Sequence, residues 1–311
     1  MKKYVVTGGA GFIGSALVRT LLEEGGQVAV IDNLLSGHEK NLSEVRDRVD
    51  LHIVDICDGA AIAPIIAGAD TVFHLAAIPS VPRSIDEPRP SHEVNIDGTF
   101  EVFTAAATAK VRRVVYAASS SAYGDSETLP KVETMPAKPK SPYAVQKYVG
   151  ELYASVFTSC FSLETVALRF FNVYGPRQDP SSAYSGILSL FMKHLIARTS
   201  PTIFGDGEQS RDFTYVEDVA RLCVKAAEAP GVAGKMFNAG NGERYTLNQI
   251  WSMLQKMENV EIPSKFGLPR AGDVRHSMAD TTASMAELGH APQFSIEAGL
   301  RKTLDWYKTS L

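Results

Sequence analysis

Tyr143 and Lys147 are a pair of residues whose types and spacing could move a proton. Ser141 and Pro142 predict a helix start, with serine as N-cap and proline in the first helical position, so the pair lies one turn apart on a single face. Of the 11 tyrosines, only Tyr143 has a lysine four positions later. A free phenol has a pKa of about 10 and is a poor base at neutral pH, but an adjacent ammonium group favours the phenolate. Such a tyrosine can take the proton of an alcohol.

Ser119 is the third candidate catalytic residue. It lies at the carboxyl end of a predicted strand that ends near Ala118, and ligands of parallel sheets bind just outside that edge. A hydroxyl group there can hydrogen-bond the reacting oxygen and relay its proton. On its own, a Tyr-x-x-x-Lys pair is more often a pair on a helix surface, and Ser120 and Ser121 are about equally well explained as turn residues. The catalytic interpretation therefore depends on the sequence upstream.

A glycine-rich turn near the start of the chain is typical of a phosphate-binding loop. The first predicted strand ends in Thr7, glycines occupy positions Gly8, Gly11 and Gly14, and an apolar helix pattern follows at once. Glycines permit a tight turn and a close approach of the backbone to a pyrophosphate, which then faces the helix N-terminus. The pattern predicts a dinucleotide site, and a plain glycine turn is the alternative.

Asp32 closes the second predicted strand 18 positions after Gly14. A carboxylate there can accept hydrogen bonds from the adenosine ribose and would repel a 2′-phosphate. No arginine or lysine follows until Lys40, so the sequence favours NAD over NADP. The cationic nicotinamide ring of NAD would also favour the phenolate of Tyr143. The alternative for Asp32 is a cap or turn residue. Asp55 and Ile56, after the third strand, either border the adenine or form an Asp turn.

The elements that must position these residues alternate between short apolar runs and longer helical patterns, which indicates βαβ units in a parallel sheet. Nearly continuous apolar strands fit a sheet that helices cover on both faces. The sequence therefore predicts an α/β, doubly wound parallel (Rossmann) fold. Its expected strands run from Tyr4 to Thr7, Val28 to Ile31, Leu51 to Val54, Thr71 to Leu75, Arg113 to Ala118 and Thr165 to Leu168.

The character of the sequence changes from about Gly175. Clusters of Pro, Gln, Asp, Ser and Gly at 176–186 and 200–211 flank an amphipathic stretch at 187–198, and we interpret them as insertions that form a smaller lobe. Met236 to Asn238 are expected to return to the sheet as a further strand. We therefore expect a dinucleotide-binding domain over 1–174 with a return segment at about 212–240. Residues 175–211 and 241–311 are expected to form an interleaved C-terminal substrate-binding lobe.

Composition limits the possible partners. The 311 residues carry a formal net charge of −4, and no Lys/Arg run stands out, so nucleic acid is not an expected partner. The apolar stretch after Met1 is too short for a signal peptide or a membrane span, so we expect no membrane association and a cytoplasmic location. Cys57, Cys160 and Cys223 lie far apart, which suits a reducing compartment and argues against a metal site. We expect them to be small buried hydrophobic residues.

Several motifs occur together in the sequence, namely Gly8-x-x-Gly11-x-x-Gly14, Leu75-Ala76-Ala77, Ser119, Tyr143-x-x-x-Lys147 and Arg169-Phe170-Phe171-Asn172-Val173-Tyr174-Gly175-Pro176. They resemble the extended short-chain dehydrogenase/reductase superfamily over nearly the whole chain. Within it, the sequence is most similar to the UDP-hexose 4-epimerases, particularly the branch that acts on UDP-N-acetylglucosamine.

The resemblance implies an NAD-dependent C4 epimerisation catalysed by Ser119, Tyr143 and Lys147. Tyr143 would deprotonate the C4 hydroxyl of the sugar while a hydride leaves C4 for the nicotinamide. The resulting 4-keto sugar would swing about the pyrophosphate, present its other face and receive the hydride back. The reaction then has no net redox change.

The resemblance also implies two sets of binding residues. The cofactor would contact Tyr143 and Lys147 and, besides them, Gly8, Gly11, Phe12, Ile13, Gly14, Asp32, Asn33, Ser36, Gly37, Asp55, Ile56, Leu75, Ala76, Ala77 and Phe170. The UDP-sugar would contact Ser119 and Tyr143 and, besides them, Ser80, Val81, Ser120, Ser121, Asn172, Phe204, Arg211, Arg270, Asp273 and Ser277. Among these, Asn172, Arg211 and Arg270 would hold the pyrophosphate, Asp273 the uridine ribose and Phe204 the uracil.

Two positions refine the expected chemistry. Related 4,6-dehydratases carry Asp-Glu after the catalytic Ser/Thr, whereas this chain has Ser120 and Ser121 and so lacks the proton carriers for elimination. In epimerases of the family, the fourth residue after the Asp that corresponds to Asp273 lines the sugar pocket. A bulky tyrosine at that position goes with exclusion of N-acetyl sugars. Ser277 is small, so we expect interconversion of UDP-GlcNAc and UDP-GalNAc, with UDP-Glc and UDP-Gal as further substrates.

Other functions are open at this stage. A UDP-glucuronate 4-epimerase or decarboxylase shares the triad, and Arg83 or Arg177 would then meet a carboxylate. A catalytically silent dinucleotide sensor has no need of the three catalytic residues together. His74 and His276 show no metal-like or triad-like spacing and are expected to be structural.

Relatives usually dimerise through two helices, which correspond here to about Asn95 to Lys110 and Pro142 to Thr158. Both patterns carry apolar faces suitable for a four-helix interface. Packing on the sheet explains the same faces equally well. A homodimer is therefore an expectation from the resemblance.

Overall fold

The computed structural model describes residues 1–180, 186–269 and 274–310. Its strands are β1 Lys3–Thr7, β2 Gln27–Ile31, β3 Val49–His52, β4 Thr71–His74, β5 Arg113–Ser119, β6 Glu164–Phe170, β7 Asn172–Tyr174, β8 Thr202–Phe204, β9 Ser210–Arg211, β10 Phe213–Tyr215, β11 Lys235–Ala239, β12 Tyr245–Thr246 and β13 Lys265–Gly267. Its α-helices are α1 Phe12–Glu23, α2 Gly59–Ile66, α3 Val81–Asp86, α4 Pro88–His92, α5 Thr99–Thr108, α6 Pro142–Phe161, α7 Ile187–Ile196, α8 Val216–Glu228, α9 Leu247–Glu258, α10 Thr282–Leu288 and α11 Ile296–Ser310. Two 3₁₀ segments cover Glu39–Arg48 and Ser120–Tyr123, and a π-helical segment covers Glu93–Gly98.

The central sheet is parallel and is covered on both faces. Its strand order is β11-β6-β5-β4-β1-β2-β3, so the chain winds outward in both directions from β1 and β4. All seven residues of β5, in the middle of the sheet, are buried. Burial on both faces explains why these strands read as continuous apolar runs, and the predicted doubly wound fold is confirmed.

The ends of the strands agree with the predicted ones to within one residue, except that β6 ends two residues later than expected, at Phe170, and β3 is displaced. β3 begins and ends two residues earlier than expected, because its exposed Asp50 interrupts the apolar pattern on an edge strand. The predicted return strand is confirmed, since Met236 to Asn238 lie in β11, which pairs in parallel with β6.

Two apolar clusters sandwich the sheet. One contains Leu17, Val18 and Leu21 of α1 together with buried residues of α8, and the other contains buried residues of α2, α5 and α6. Complete burial of each such side chain contributes about 1.5–3 kcal/mol. The edge at which the strands end is therefore held between two packed helix layers.

A third apolar cluster lies away from the sheet, around α7, α9 and α11. It includes Phe191, Trp251 and Leu300 and also buried residues of β7 and β10, the parallel pair that runs from Asn172 to Tyr174 and from Phe213 to Tyr215. α9 begins with a capping box in which Thr246 and Gln249 satisfy each other's backbone N–H groups.

Candidate functional site

The turn between β1 and α1 is built so that only glycine fits at two of its positions. Gly8 has a φ of +72°, and a Cβ atom there would lie 2.7 Å from the backbone nitrogen of Ala76. A Cβ atom at Gly14 would lie 2.1 Å from the carbonyl oxygen of Gly8. The turn therefore presents bare backbone and the N-terminus of α1 to the space beside it, an arrangement that binds phosphate.

Asp32 follows β2 directly and is buried. Its two oxygens accept hydrogen bonds from the backbone N–H groups of Ala10 and Leu34, both at 2.9 Å. The carboxylate thus stabilises the turn, as the alternative interpretation expected. It also lines a cavity beside the turn, where its remaining lone pairs can accept hydrogen bonds from ribose hydroxyls. The glycine turn and Asp32 together fit an NAD molecule.

A cavity of about 860 Å³ gathers most of the residues that the sequence singled out. It contains Ser119, Tyr143 and Lys147 beside the glycine turn. The predicted cofactor residues that line it are Gly8, Gly11, Phe12, Ile13, Gly14, Asp32, Asn33, Ser36, Gly37, Ile56, Leu75, Ala76, Ala77 and Phe170. The predicted substrate residues that line it are Ser80, Val81, Ser119, Ser120, Ser121, Tyr143, Asn172, Arg211 and Ser277.

A few predicted site residues lie elsewhere. Asp55 borders a neighbouring cavity, and it accepts hydrogen bonds from the backbone N–H of Cys57 and from the amide of Asn33, as an Asp turn does. Phe204 lies on β8, outside the lining of the main cavity. Arg270 and Asp273 lie outside the described residues.

Tyr143 and Lys147 are positioned by the first turns of α6. Ser141 caps the helix by accepting the backbone N–H of Ala144 at 3.2 Å, which confirms the predicted start. The backbone N–H of Tyr143 donates to Ser84 Oγ in α3 at 3.1 Å, and the ammonium of Lys147 donates to the carbonyl oxygen of Ala117 in β5 at 2.8 Å. α6 is thus fixed to both a neighbouring helix and the sheet.

Ser119 connects β5 to the tyrosine. Its Oγ accepts hydrogen bonds from the backbone N–H and the hydroxyl of Ser121, at 3.2 and 2.8 Å. The side chain of Ser119 also lies near enough to the phenol of Tyr143 to lower its pKa. Because Ser121 occupies its lone pairs, the Ser119 hydroxyl has its own hydrogen to donate toward the phenolic oxygen.

The protonation of the pair is governed mainly by burial. Burial raises the pKa of Tyr143, and the hydrogen bond from Ser119 lowers it only in part. Burial also lowers the pKa of Lys147 to about 8, against the opposing charge of Glu151. Loss of water around the phenol therefore outweighs the hydrogen bonding that favours the phenolate.

The two histidines that the sequence set aside are structural. His74 is completely buried, its Nδ1 lies 2.8 Å from Thr7 Oγ1, and its Nε2 lies 2.9 Å from Thr99 Oγ1. Burial lowers the pKa of His74 to about 3, so the ring is neutral. His276 Nδ1 lies 2.8 Å from Ser210 Oγ.

The expectation for the cysteines was wrong at two of three positions. Cys223 is buried in the layer of α8, but Cys57 and Cys160 are exposed, because they lie in a loop and on the outer face of a helix. Within 1–180, 186–269 and 274–310, no group of three His, Cys, Asp or Glu side chains could hold a metal ion. In the same ranges no helix combines the length and the apolar character that crossing a membrane requires.

The cavity also contains residues that no sequence pattern singled out. Lys131, Lys140 and Gln178 line it, and the first two lie on the long loop between Ser120 and Ser141. Lys131 is buried because its backbone pairs with Met278 and Asp280. No motif marks these positions, since a lone lysine in a loop usually indicates a surface charge.

The comparisons with known proteins agree with this geometry. A sequence profile of the NAD dependent epimerase/dehydratase family matches residues 4–240, and the chain belongs to that family. The chain is 37% identical over 309 residues to a UDP-glucose 4-epimerase of Mycolicibacterium smegmatis, with 98% of each chain covered.

Solved structures resemble the whole chain. One is a UDP-N-acetylglucosamine 4-epimerase from Methanobrevibacter ruminantium in complex with UDP-N-acetylmuramic acid, with a TM-score of 0.95 and 36% identity over 100% of this chain and 99% of that one. Another is a UDP-glucose 4-epimerase from Thermotoga maritima with UDP-glucose, with a TM-score of 0.95 and 35% identity over 99% of each chain. As a member of this family the chain is an NAD-dependent enzyme, so the alternative of a silent sensor is set aside.

Proposed function

We propose that this enzyme interconverts the C4 epimers of a UDP-hexose, with UDP-GlcNAc and UDP-GalNAc as its main substrates and UDP-Glc and UDP-Gal as further ones. The observation that carries the proposal is that Ser119, Tyr143 and Lys147 meet beside the glycine turn in one cavity that also contains Ser277. UDP-sugars are what the similar solved epimerases hold.

The chain's own residues have separate tasks in the proposed reaction. Tyr143 takes the proton from the C4 hydroxyl and later returns one to the C4 oxygen. Ser119 donates a hydrogen bond to the phenolic oxygen, and the ammonium of Lys147 stabilises the phenolate. The glycine turn and Asp32 would hold NAD, whose nicotinamide ring would supply the hydride acceptor and donor for C4.

The nucleotide must stay anchored while the keto sugar turns over. Asn172 and Arg211 lie close in the fold, because the backbone N–H of Asn172 donates to the carbonyl oxygen of Asp212, the residue after Arg211, at 3.0 Å. Both residues line the cavity. The guanidinium of Arg211 is anchored on the carbonyl oxygens of Ser210 and Arg275, at 3.0 and 3.2 Å. The planar guanidinium of an arginine suits a pyrophosphate, because its N–H groups meet phosphate oxygens in pairs. We assign the task of holding the nucleotide to the lobe of 175–211 and 241–311.

The preference for N-acetyl sugars is inferred from Ser277. Its backbone N–H donates to the carbonyl oxygen of Ser210 at 3.0 Å, so its position is fixed by the backbone, and its small side chain faces the cavity. A larger side chain here would take up room next to the hexose. The pocket therefore has space for a 2-acetamido group.

Elimination of water is not expected from this site. A 4,6-dehydratase needs an acid and a base after its catalytic Ser/Thr, whereas Ser120 and Ser121 supply hydroxyl groups, and that of Ser121 is bound to Ser119. The keto sugar would therefore be reduced again instead of losing water.

The test is to incubate the purified protein with UDP-GlcNAc, UDP-Glc and UDP-glucuronate separately, with and without added NAD, and to identify the products by anion exchange and proton NMR. We expect UDP-GalNAc from the first substrate. In Ser277→Tyr, the conversion of UDP-GlcNAc should fall at least tenfold while that of UDP-Glc is retained. Turnover of UDP-glucuronate alone, or of no sugar after NAD is added, contradicts the proposal.

We also propose that the enzyme is a homodimer formed through α5 and α6. Large apolar side chains on these two helices are exposed in the single chain, namely Phe100, Val145, Leu152, Val156 and Phe161. Exposed apolar residues on adjacent helices are typical of an interface between subunits. Packing on the sheet does not explain these residues, because they face away from it.

A further inference from the structure

A buried ion pair joins α6 to β6 one helical turn after the catalytic lysine. Arg169 Nε donates to Glu151 Oε1 at 2.9 Å, and Nη2 donates to Oε2 at 2.7 Å. The side chains are only 3% and 7% exposed, and neither residue lines the cavity. A buried ion pair adds little net stability on average, because both charges lose their water. Its presence here calls for another explanation.

The pair lies next to the catalytic lysine. Tyr143, Lys147 and Glu151 follow each other at intervals of four residues, so they share one face of α6. In the sheet, Arg169 is the register partner of Ala118, and the ammonium of Lys147 donates to the carbonyl oxygen of the adjacent Ala117. Glu151 therefore lies on the helix that carries Lys147 and is fixed to β6, the strand next to the one that accepts the lysine's hydrogen bond.

The guanidinium of Arg169 is fixed from its other side as well. It lies over the ring of Tyr123, 4.4 Å from the centroid, and the Tyr123 hydroxyl donates to Asn238 Oδ1 at 2.6 Å. Tyr123 ends the short 3₁₀ turn that begins right after Ser119. One guanidinium thus connects the turn after Ser119 with the helix of Tyr143 and Lys147.

The charges that face Lys147 come from several elements. On α6, Tyr143 lies one turn before it, and the carboxylate of Glu151 lies one turn after it. From β5, the ring centroid of Tyr116 lies 5.0 Å from the ammonium. His74 of β4 is near but neutral, and Arg169 of β6 is paired with Glu151. Burial lowers the pKa of Lys147 and the charge of Glu151 raises it, so this carboxylate opposes the loss of the lysine's proton.

We infer that Glu151, fixed by Arg169, is a positioning residue that keeps Lys147 protonated and aligned with Tyr143. This inference rests on the proposed function only in that Lys147 must carry a charge during turnover. The carboxylate does not touch substrate or cofactor, and it acts through the lysine. The expected effect of Glu151 on Lys147 is electrostatic, so it should depend on the charge of residue 151 more than on the shape of its side chain.

The experiment compares Glu151→Gln with Glu151→Asp as the matched control that keeps the charge. Lys147 loses its proton near pH 8 in the wild type, so kcat should fall above that pH. In Glu151→Gln, the fall should begin roughly one pH unit or more lower, since a nearby opposite charge shifts a pKa by about 1–3 units. KM should change little, and Glu151→Asp should restore most of the wild-type profile.

A second readout does not require turnover. In protein labelled with ¹³Cε-lysine, the NMR signal of Lys147, assigned with Lys147→Arg, reports the pH at which the amine is half protonated. This midpoint should fall in Glu151→Gln even if the protein acts on none of the tested sugars, which separates a failure of this inference from a failure of the proposed function.

A double variant addresses folding. Glu151→Met with Arg169→Met removes both charges and leaves apolar volume, which buried pairs often tolerate. If it folds, its Lys147 midpoint should also be lowered. An unchanged midpoint in Glu151→Gln and in the double variant would overturn the inference. Unfolded protein from both would overturn it too, because the pair would then be explained by stability alone.

Discussion

Tyr143 lies in a buried environment that opposes its own ionisation. Burial raises the pKa of its phenol, and the side chain of Ser119 lowers it only in part. A tyrosine in this situation is a base only when the whole site is assembled around it. Whether Tyr143 acts as a base therefore depends on the groups around it as much as on its phenol.

Replacement of the phenol should abolish the reaction without harm to the fold. In Tyr143→Phe we expect kcat to fall by roughly 10²–10⁴, which is the usual contribution of a general acid or base. Tyr148→Phe, on the same helix but outside the cavity lining, is the matched control and should retain wild-type kcat. Steady-state kinetics and binding of NAD by calorimetry check this, and a Tyr143→Phe enzyme with more than a tenth of the wild-type kcat would show that another group is the base.

At the scale of elements, the approach of α6 to β5 fixes the reacting groups. Tyr116 of β5 donates its hydroxyl hydrogen to the carbonyl oxygen of Lys147 at 3.2 Å. Gly150 makes this contact possible, since a Cβ atom there would lie 2.1 Å from the Tyr116 hydroxyl oxygen. The helix lies as close to the sheet as the absence of a side chain at Gly150 allows.

A methyl group at this contact should push α6 away from the sheet. In Gly150→Ala we expect the free energy of unfolding to fall by about 1–3 kcal/mol, as in other overpacked cores, although alanine is the better helix former. We also expect kcat to fall by about 10-fold to 100-fold, because Lys147 moves with the helix. Ser155→Ala, on the exposed face of α6, is the control and should leave both quantities unchanged. Urea unfolding and kinetics on the same samples test this, and a Gly150→Ala enzyme as stable and active as the control would contradict the packing argument.

At the scale of the whole molecule, Asp212 ties distant segments together. It is completely buried beside Arg211, and its oxygens accept the backbone N–H groups of Asn241, Gly242 and Ala279 at 2.7, 3.0 and 3.0 Å. The segment before β10, the loop after β11 and the segment before α10 therefore meet at one carboxylate.

Removal of this carboxylate should destabilise the protein as a whole. Asp212→Ala leaves three backbone N–H groups, one buried and two partly buried, without an acceptor, so we expect the free energy of unfolding to fall by about 3 kcal/mol or more. Asp212→Asn keeps one acceptor oxygen and should lose less. Urea unfolding at pH 7 measures both variants, and equal stability of Asp212→Ala and the wild type would show that the contact is dispensable.

The same residue predicts a dependence of stability on pH. Burial raises the pKa of Asp212 from 3.8 to about 6, so the folded protein binds this proton more tightly than the unfolded chain does. The stabilisation from this proton is complete below about pH 3.8 and is lost as the pH rises through about 6. Relative to Asp212→Asn, the wild type should lose stability from pH 4 to pH 6 and stay level above it. Parallel curves in that interval would contradict the assignment.

The proposed dimer can be tested on the exposed face of α6. A charge at Leu152, which is 50% exposed in the single chain, should dissociate the dimer, because a buried unpaired carboxylate destabilises an interface. We therefore expect Leu152→Glu to sediment as a monomer in analytical ultracentrifugation while the wild type sediments as a dimer. Met285→Glu on α10, with a similarly exposed side chain, is the control and should leave the mass unchanged. A monomeric wild type would contradict the proposal.

The sequence by itself determined the parts of the protein that depend on local order. The glycine turn, Asp32 at the end of β2, and the Tyr143 to Lys147 spacing after a Ser-Pro helix start are short-range patterns, because backbone conformation and helix periodicity set them. The parallel strands were equally readable, since burial on both faces leaves continuous apolar runs.

Only the tertiary structure decided which residues from distant parts of the chain meet. Lys131 lines the cavity because its backbone pairs with residues 278–280. Glu151 of α6 forms its ion pair with Arg169 of β6. The raised pKa of Tyr143 is likewise a result of burial by several elements. Desolvation and long-range charge depend on distances in space, and a linear pattern of residue types does not contain them.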